Sequence, residues 1–315
     1  MISFIIPAYN EESNLNALYA RLNEVSKSLP DQSFEFVIVD DGSTDNTNKI
    51  LSDLRMRDHR VEAIRFARNC GSHAGLAAGL RYCRGDAAVI LAADLQDPPE
   101  LVTNLVEKWQ GGFKIVWAVR KKREGEPKIN LFFSRLYYAL MNRLTHVQLP
   151  PMGSDMFLID RAVIEAFKQT YEKNTSIFML ISWLGFAQGY VEYVKQSRKA
   201  GASKWNFSKR FKLFVDSVVS FSYAPLRIMS LIGIIVALLG FVFGVDVLLN
   251  GLFGHPIQGY TSLMIVVLIL GGFQMMMLGM LGEYLWRTFE ESRKRPLYVI
   301  EKNSFSEKET VKTNL

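Results

Sequence analysis

The oxygen-bearing side chains best placed to do chemistry lie in Leu91-Ala92-Ala93-Asp94-Leu95-Gln96-Asp97-Pro98-Pro99. They follow an aliphatic and β-branched run, Ala87 to Leu91, that reads as a buried parallel strand, and Pro98-Pro99 forbid its continuation. In an open α/β sheet, ligands bind at the carboxyl ends of the strands. Asp94, Gln96 and Asp97 therefore stand where a divalent cation and a diphosphate could meet. An all-oxygen set suits Mg²⁺ or Mn²⁺, which keep several waters and take one or two carboxylates plus substrate phosphates. A solvated acidic turn would show the same residues, so this stretch alone leaves both readings open.

The elements that must position it alternate. Strands are expected at Ile2–Pro7, Phe34–Asp40, Val61–Phe66, Ala87–Ala92 and Phe113–Val119, and helices at about Glu12–Ser28, Asp45–Arg57, Ser72–Cys83 and Pro99–Gln110. That order implies βαβ units in an α/β fold, with a mostly parallel sheet covered on both faces. Two further strand-end loops follow, Pro7-Ala8-Tyr9-Asn10-Glu11 and Asp40-Asp41-Gly42-Ser43-Thr44-Asp45. In the second, Gly42 permits the turn and Ser43 to Asp45 can cap the next helix, which leaves two carboxylates at the strand end. Neither GxGxxG nor GxxxxGK[ST] occurs, so neither a Rossmann dinucleotide site nor a P-loop is supported.

Composition narrows the partners. The 315 residues carry a net charge of +6 and 49% apolar residues, and the apolar ones crowd between about Ile228 and Leu281. A basic chain without a basic-aromatic nucleic-acid motif points to phosphorylated ligands or an anionic membrane surface, not nucleic acid. Cys70 and Cys83 match neither a CxxC pair nor a metal spacing and read as reduced cytosolic thiols. The N-terminus opens directly on a strand pattern, so no signal peptide is expected.

Pro7-Ala8-Tyr9-Asn10-Glu11, Val39-Asp40-Asp41-Gly42-Ser43-Thr44-Asp45 and Asp94-Leu95-Gln96-Asp97-Pro98-Pro99-Glu100 together resemble the family 2 glycosyltransferases. The likeness is greatest to the polyprenyl-phosphate sugar transferases, the bactoprenol glucosyltransferases and dolichyl-phosphate mannose synthases, and it covers nearly the whole chain. It implies a GT-A nucleotide-sugar-binding domain in which Pro7, Tyr9, Glu11, Asp40 and Asp41 hold the nucleoside. Asp94 and Gln96 would hold Mg²⁺ or Mn²⁺ and the diphosphate. Ala92 stands where many relatives have an aspartate, which removes one carboxylate from the usual metal site. Asp97 is either a substitute ligand or a surface acid, the second being expected.

The same resemblance assigns the basic segments. After Val119 comes Arg120-Lys121-Lys122-Arg123-Glu124-Gly125, and then an amphipathic helix near Lys128–Thr145 that contains Arg135. Lys121 and Lys122 read as a solvated loop, whereas Arg120 and Arg135 would meet a lipid phosphate, whose oxygens an arginine fork matches. Asp155, in the short strand pattern Gly153–Ile159, would face sugar hydroxyls or orient the acceptor; a turn-forming aspartate is the competing reading. Arg198-Lys199-Ala200-Gly201-Ala202-Ser203-Lys204-Trp205 resembles the family's R-x-x-G-x-S-K element, with Arg198, Ser203 and Lys204 on phosphate. His73 reads as a polar residue at a helix start. The apolar run Ile177–Ala187 is too short to span a bilayer and reads as core or interfacial.

Phe207, Phe211, Phe214, Val218 and Phe221 share one helical face flanked by Lys209, Arg210 and Lys212, as an interfacial helix would. Ile228–Val245 and Tyr260–Leu281 hold no charged residue and predict a transmembrane hairpin. The loop between them lacks Lys and Arg, while Arg227, Arg287, Arg293, Lys294 and Arg295 flank it, so the positive-inside rule puts both termini in the cytoplasm. The expected organisation is a GT-A domain over 1–205, an interfacial helix over 206–225, a hairpin over 226–286 (about 228–249 and 260–282) and a cytoplasmic tail over 287–315. Gly240 and Gly244 allow close helix approach, within the hairpin or in a homo-oligomer. The expected enzyme sits in the inner membrane and transfers a hexose, best read as glucose from UDP-glucose, to undecaprenyl phosphate with inversion. GDP-mannose as donor, a polysaccharide synthase and a non-catalytic membrane scaffold or translocation partner are the alternatives.

Overall fold

In the computed structural model, residues 1–122, 150, 154–170, 172, 176–194, 222, 224–253 and 259–305 are described. Two units emerge: Met1–Phe214 with Pro296–Leu315, and Val215–Arg295. The first is built on strands with almost no exposed position. β1 (Ile2–Ala8), β2 (Phe34–Asp40), β3 (Val61–Phe66) and β4 (Ala87–Ile90) pair in parallel in the order β4-β1-β2-β3. Every residue of β2 is buried, as a central strand covered on both faces requires.

Alternate residues serve the two faces. Phe4, Ile6, Phe36 and Ile38 pack with Leu15, Leu18 and Leu22 of α1 (Leu15–Ser28), Leu51 and Leu54 of α2 (Thr47–Arg57), and Leu105 of α4 (Val102–Gln110), which follows a 3₁₀ turn, Pro99–Leu101. Against the other face lies α3 (Ser72–Tyr82), with Gly79 so close to β1 that a Cβ there would stand 2.3 Å from the Ile5 side chain. α5 (Arg161–Lys168) and α6 (Ile177–Trp183) complete that layer.

The remaining strands extend both edges. β5 (Ile115–Lys122) and β7 (Gln188–Val194) are parallel neighbours; β6 (Phe157–Asp160) runs antiparallel between β4 and β5. At the opposite edge β8 (Ile300–Asn303) pairs antiparallel with β3. The order is β7-β5-β6-β4-β1-β2-β3-β8, mostly parallel with two reversed strands.

Several expectations are corrected. β5 continues through Lys122, so the backbone of Lys121 and Lys122 lies in a strand beside β7 and is not a loop. Within the run Ile177–Ala187, Ile177–Trp183 is a helix that buries Ile177, Met179, Leu180 and Ile181, the core reading of the two left open, while Trp183 is exposed; the strand β7 that follows is unanticipated. The segment expected as a tail over 287–315 includes a strand, β8, that pairs with β3.

The second unit contains α7 (Ala224–Leu252) and α8 (Tyr260–Ser292). Leu226–Val247 of α7, with a mean hydropathy of 2.7 and none of it buried, is the one stretch among the described residues long and apolar enough to cross a membrane. A Cβ on Gly240 or Gly244 would meet nothing within 4 Å. The predicted helix near 128–145 and the aromatic stripe of 207–221 lie outside the described residues.

Candidate functional site

The first two strand-end loops are laced together. Asn10 adopts φ +54°, and its N–H donates to Ser43 Oγ (3.0 Å) while its Oδ1 accepts from the Thr44 N–H (2.9 Å). The Glu11 N–H donates to Thr47 Oγ1 (2.9 Å), and Glu12 accepts from the Asn46 N–H (2.9 Å). These bonds explain why α1 starts at Leu15 and not at Glu12: residues 10–12 serve the neighbouring loop. Pro7, Tyr9 and Glu11 are half-buried at this edge.

The two aspartates at the end of β2, Asp40 and Asp41, turn inward. Asp40 is 1% exposed; its Oδ1 accepts from the Ser43 N–H (2.8 Å) and its Oδ2 from Arg65 Nη1 (2.5 Å). Asp41 accepts from the Cys70 and Gly71 N–H groups (2.6 and 2.8 Å), tying this loop to the one after β3. Burial, with a smaller contribution from the charge of Asp40, raises the Asp41 carboxyl above its usual range despite the two backbone hydrogen bonds that oppose it. Gly42, at φ +68°, passes so near Arg68 that a Cβ would lie 2.8 Å from its carbonyl carbon.

The turn after β4 sits beside the end of β1, since the Leu91 N–H donates to Ile5 O (3.2 Å). Leu95 at φ +59° makes the reversal, and burial alternates: Ala93, Leu95 and Asp97 point inward, while Ala92, Asp94 and Gln96 are half-exposed. The Gln96 N–H holds Asp94 Oδ1 at 3.2 Å. Among the described residues no group of three His, Cys, Asp or Glu side chains forms a metal cluster. One carboxylate and one amide, all hard oxygen donors, fit a Mg²⁺ or Mn²⁺ ion completed by water and a diphosphate. They do not fit a metal held by protein alone.

Register carries four more groups to the same edge. Arg120 pairs with Tyr193 across β5 and β7, and the Ala118 N–H donates to Met156 O (2.9 Å), which brings Asp155 alongside. Arg120, 8% exposed, donates from Nη2 to Asp155, and the Tyr193 hydroxyl donates to Asp97 Oδ1. Burial works against the Arg120 charge, but Asp155, Tyr193 and Asp97 outweigh it and raise its pKa. Burial and then the charge of Asp97 push the Tyr193 phenol well up, so it stays protonated. Arg120 Nε is buried with no hydrogen-bond partner. Asp97, expected at the surface, is 4% exposed and belongs to this cluster.

Sequence reasoning missed Tyr193, Arg65 and the inward role of Asp97. For Tyr193 a signal existed in the alternation of Gln188-Gly-Tyr-Val-Glu-Tyr-Val. His73 accepts the Ile177 N–H at Nδ1 (3.2 Å) and meets the Phe178 ring edge-on; burial lowers its pKa, so it is a neutral tie between α3 and α6. Arg135, Arg198, Ser203 and Lys204 lie outside the described residues.

A sheet with oxygen donors and a buried arginine at one edge is a place for a phosphorylated ligand, and the wider comparisons agree. Residues 3–167 match the model of glycosyl transferase family 2, so the chain belongs to that family and is a glycosyltransferase. It is 39% identical over 300 residues to the uncharacterized glycosyltransferase sll0501 of Synechocystis sp., covering 95% of this chain and 94% of the other. To the bactoprenol glucosyl transferase of Shigella phage SfV it is 37% identical over 300 residues, covering 95% and 97%. Among solved structures, the mannosyltransferase PcManGT from Pyrobaculum calidifontis, in complex with GDP-Man and Mn²⁺, shares 18% identity at a TM-score of 0.49 over 67% of this chain and 60% of that one.

Proposed function

We propose that this chain transfers a hexose from a nucleotide donor to a polyprenyl monophosphate, with UDP-glucose as donor and undecaprenyl phosphate as acceptor. The observation that carries the reading is the meeting, at one sheet edge, of the Asp94–Gln96 oxygen pair with Arg120, whose buried Nε lacks a partner. The first set suits a cation-bound diphosphate and the second a phosphate anion. The near full-length likeness to bactoprenol glucosyl transferases supports the acceptor class.

In this reading the loops around Tyr9 and Asp40 hold the nucleoside in a GT-A domain. Arg120, with Arg135, Arg198, Ser203 and Lys204, aligns an acceptor phosphate oxygen with the anomeric carbon. The acceptor's second pKa is near 6, so it is already an anionic nucleophile at neutral pH and needs no general base. Its oxygen forms the new bond to C1 as the C1–O bond to the nucleoside diphosphate breaks, and the electron pair leaves with the β-phosphate. An α-linked donor thereby gives a β-linked lipid-phosphate sugar. Asp94 and Gln96 would hold a Mg²⁺ or Mn²⁺ ion, which would supply Lewis acidity at the leaving diphosphate. Asp155, which pairs with Arg120 and is 48% exposed, would orient that arginine and meet the donor sugar in this reading.

α7 and α8 are read as a membrane hairpin that brings the site to the lipid. Tyr260–Leu281 is uncharged, and the residues before Val215 and after Arg295 belong to one α/β unit, so a crossing by α7 calls for a return. The cations of Arg287 and Arg293–Arg295 favour the cytoplasmic face for that unit.

The test is extraction of labelled lipid after incubation with UDP-[¹⁴C]glucose, or GDP-[¹⁴C]mannose in parallel, with polyprenyl phosphate and Mg²⁺. One lipid product from the uridine donor, lost in Asp94→Asn at unchanged circular dichroism, supports the proposal. A product from GDP-mannose alone changes the donor, a polymer points to a synthase, and no product from either donor overturns the assignment of glucose or mannose to this site.

A further inference from the structure

Resting on that donor-site reading, we infer that Arg65 and Glu301 are positioning residues for the donor nucleotide. The strand made after the helical unit sets the nucleoside loop through a single arginine. Arg65 grips the loop at both ends: Nη1 donates to Asp40 Oδ2 (2.5 Å) and Nη2 to Ser43 O (3.2 Å). Ser43 in turn accepts the Asn10 N–H, so the grip reaches the loop that carries Tyr9. The third donor of the guanidinium, Nε, goes to Glu301 Oε2 in β8 (2.8 Å).

β8 is well placed to act as the fixed end. The Ala67 N–H donates to Val299 O (2.9 Å), Tyr298 stacks on Phe66 at 4.8 Å, and Ser304 Oγ donates to the fully buried Glu62 (2.8 Å) while accepting the Ala63 N–H (2.8 Å). Beside Arg65 a cleft of about 490 Å³ opens between α2, β3 and β8, lined among others by Asn48, His59 and Lys302. Arg65 lines that cleft, and Glu301 is the partner that takes its Nε on the β8 side.

The Arg65 and Glu301 side chains are 22% and 47% exposed, so their pair adds little to stability in water. Its effect is on geometry, and that separates this role from a merely structural one. The experiment measures UDP and GDP binding with Mn²⁺ by calorimetry, together with thermal unfolding, on the full chain in detergent. Glu301→Gln is expected to weaken nucleotide binding roughly three- to ten-fold at an unchanged unfolding temperature. Arg65→Ala is expected to weaken it by more than about ten-fold, and Arg65→Lys, which keeps the charge but not the fork, to fall between.

If the unaltered chain binds one nucleotide and all three variants match it, the positioning role is overturned while the donor site stands. Weaker binding by Glu301→Gln that comes only with a lower unfolding temperature overturns it as well. If the unaltered chain binds neither nucleotide, the donor-site reading falls and takes this inference with it.

Discussion

Replacing Tyr193 with Phe removes one oxygen atom from the middle of the candidate site. Tyr193 is 5% exposed and its hydroxyl donates to Asp97, itself 4% exposed. A hydrogen bond to a buried charge contributes about 1.5–3 kcal/mol, and Phe fills nearly the same volume, so no cavity adds to the loss. At about 2–4 °C per kcal/mol for a unit of this size, thermal unfolding is expected some 3–12 °C lower. The functional loss comes through position. Asp97 is the next residue after Gln96 in the turn that orients Asp94, and a shift of about 1 Å there costs on the order of 100-fold in turnover. The assays are unfolding followed by circular dichroism and lipid-product formation at saturating donor. An unfolding temperature and a turnover both equal to those of the unaltered protein would refute the reasoning.

Three further outcomes follow from the geometry. Asp58 accepts from Arg60 (2.7 Å) and from the Tyr19 hydroxyl (2.7 Å); burial opposes its charge, but these partners hold its carboxyl down at about 2 against an ordinary 3.8. The folded value is depressed, so the stabilisation of about 2 kcal/mol is present above pH ~3.8 and is lost as pH falls toward ~2. Asp58→Asn should therefore unfold more easily at neutral pH, with the difference vanishing in acid titrations below pH ~2. Burial, aided by the charge of Glu35, pushes the Cys83 thiol up to about 11, whereas Cys70 is half-exposed, so Ellman's reagent at pH 8 should titrate one thiol in the native protein and two in guanidinium. Gly42→Ala forces a Cβ into the Arg68 backbone at a left-handed φ and should cost more than about 1 kcal/mol, read by thermal unfolding; an unchanged midpoint would mean the loop is free to move.

The parallel half of the sheet was legible because each strand is a local, fully buried run: Phe34–Asp40 and Val61–Phe66 have the bounds their composition implies. β5 was read as ending at Val119 because a cluster of cations resembles a loop, yet hydrogen bonding to β7 carries the strand on to Lys122. β4 ends two residues early because the backbone turns at the very stretch that bears Asp94. β8 is short, charged and half-exposed, as an edge strand should be, and nothing local separates such a sequence from an unstructured tail. Its identity depends on β3, more than 230 residues earlier. The site followed the same division. Asp94, Gln96 and Arg120 announce themselves by type and place, whereas the Tyr193–Asp97 bond joins residues 96 positions apart and appears only when register is known.

Because the eighth strand is encoded last, the catalytic sheet is finished late in synthesis. While the ribosome is still making α7 and α8, β3 presents an unpaired edge to the cell for on the order of ten seconds or more. Such an edge invites pairing with other nascent chains. Stopping the chain before residue 215 leaves the same edge open permanently. Excising the helices while splicing the return segment back on is the edit that this order of strands permits.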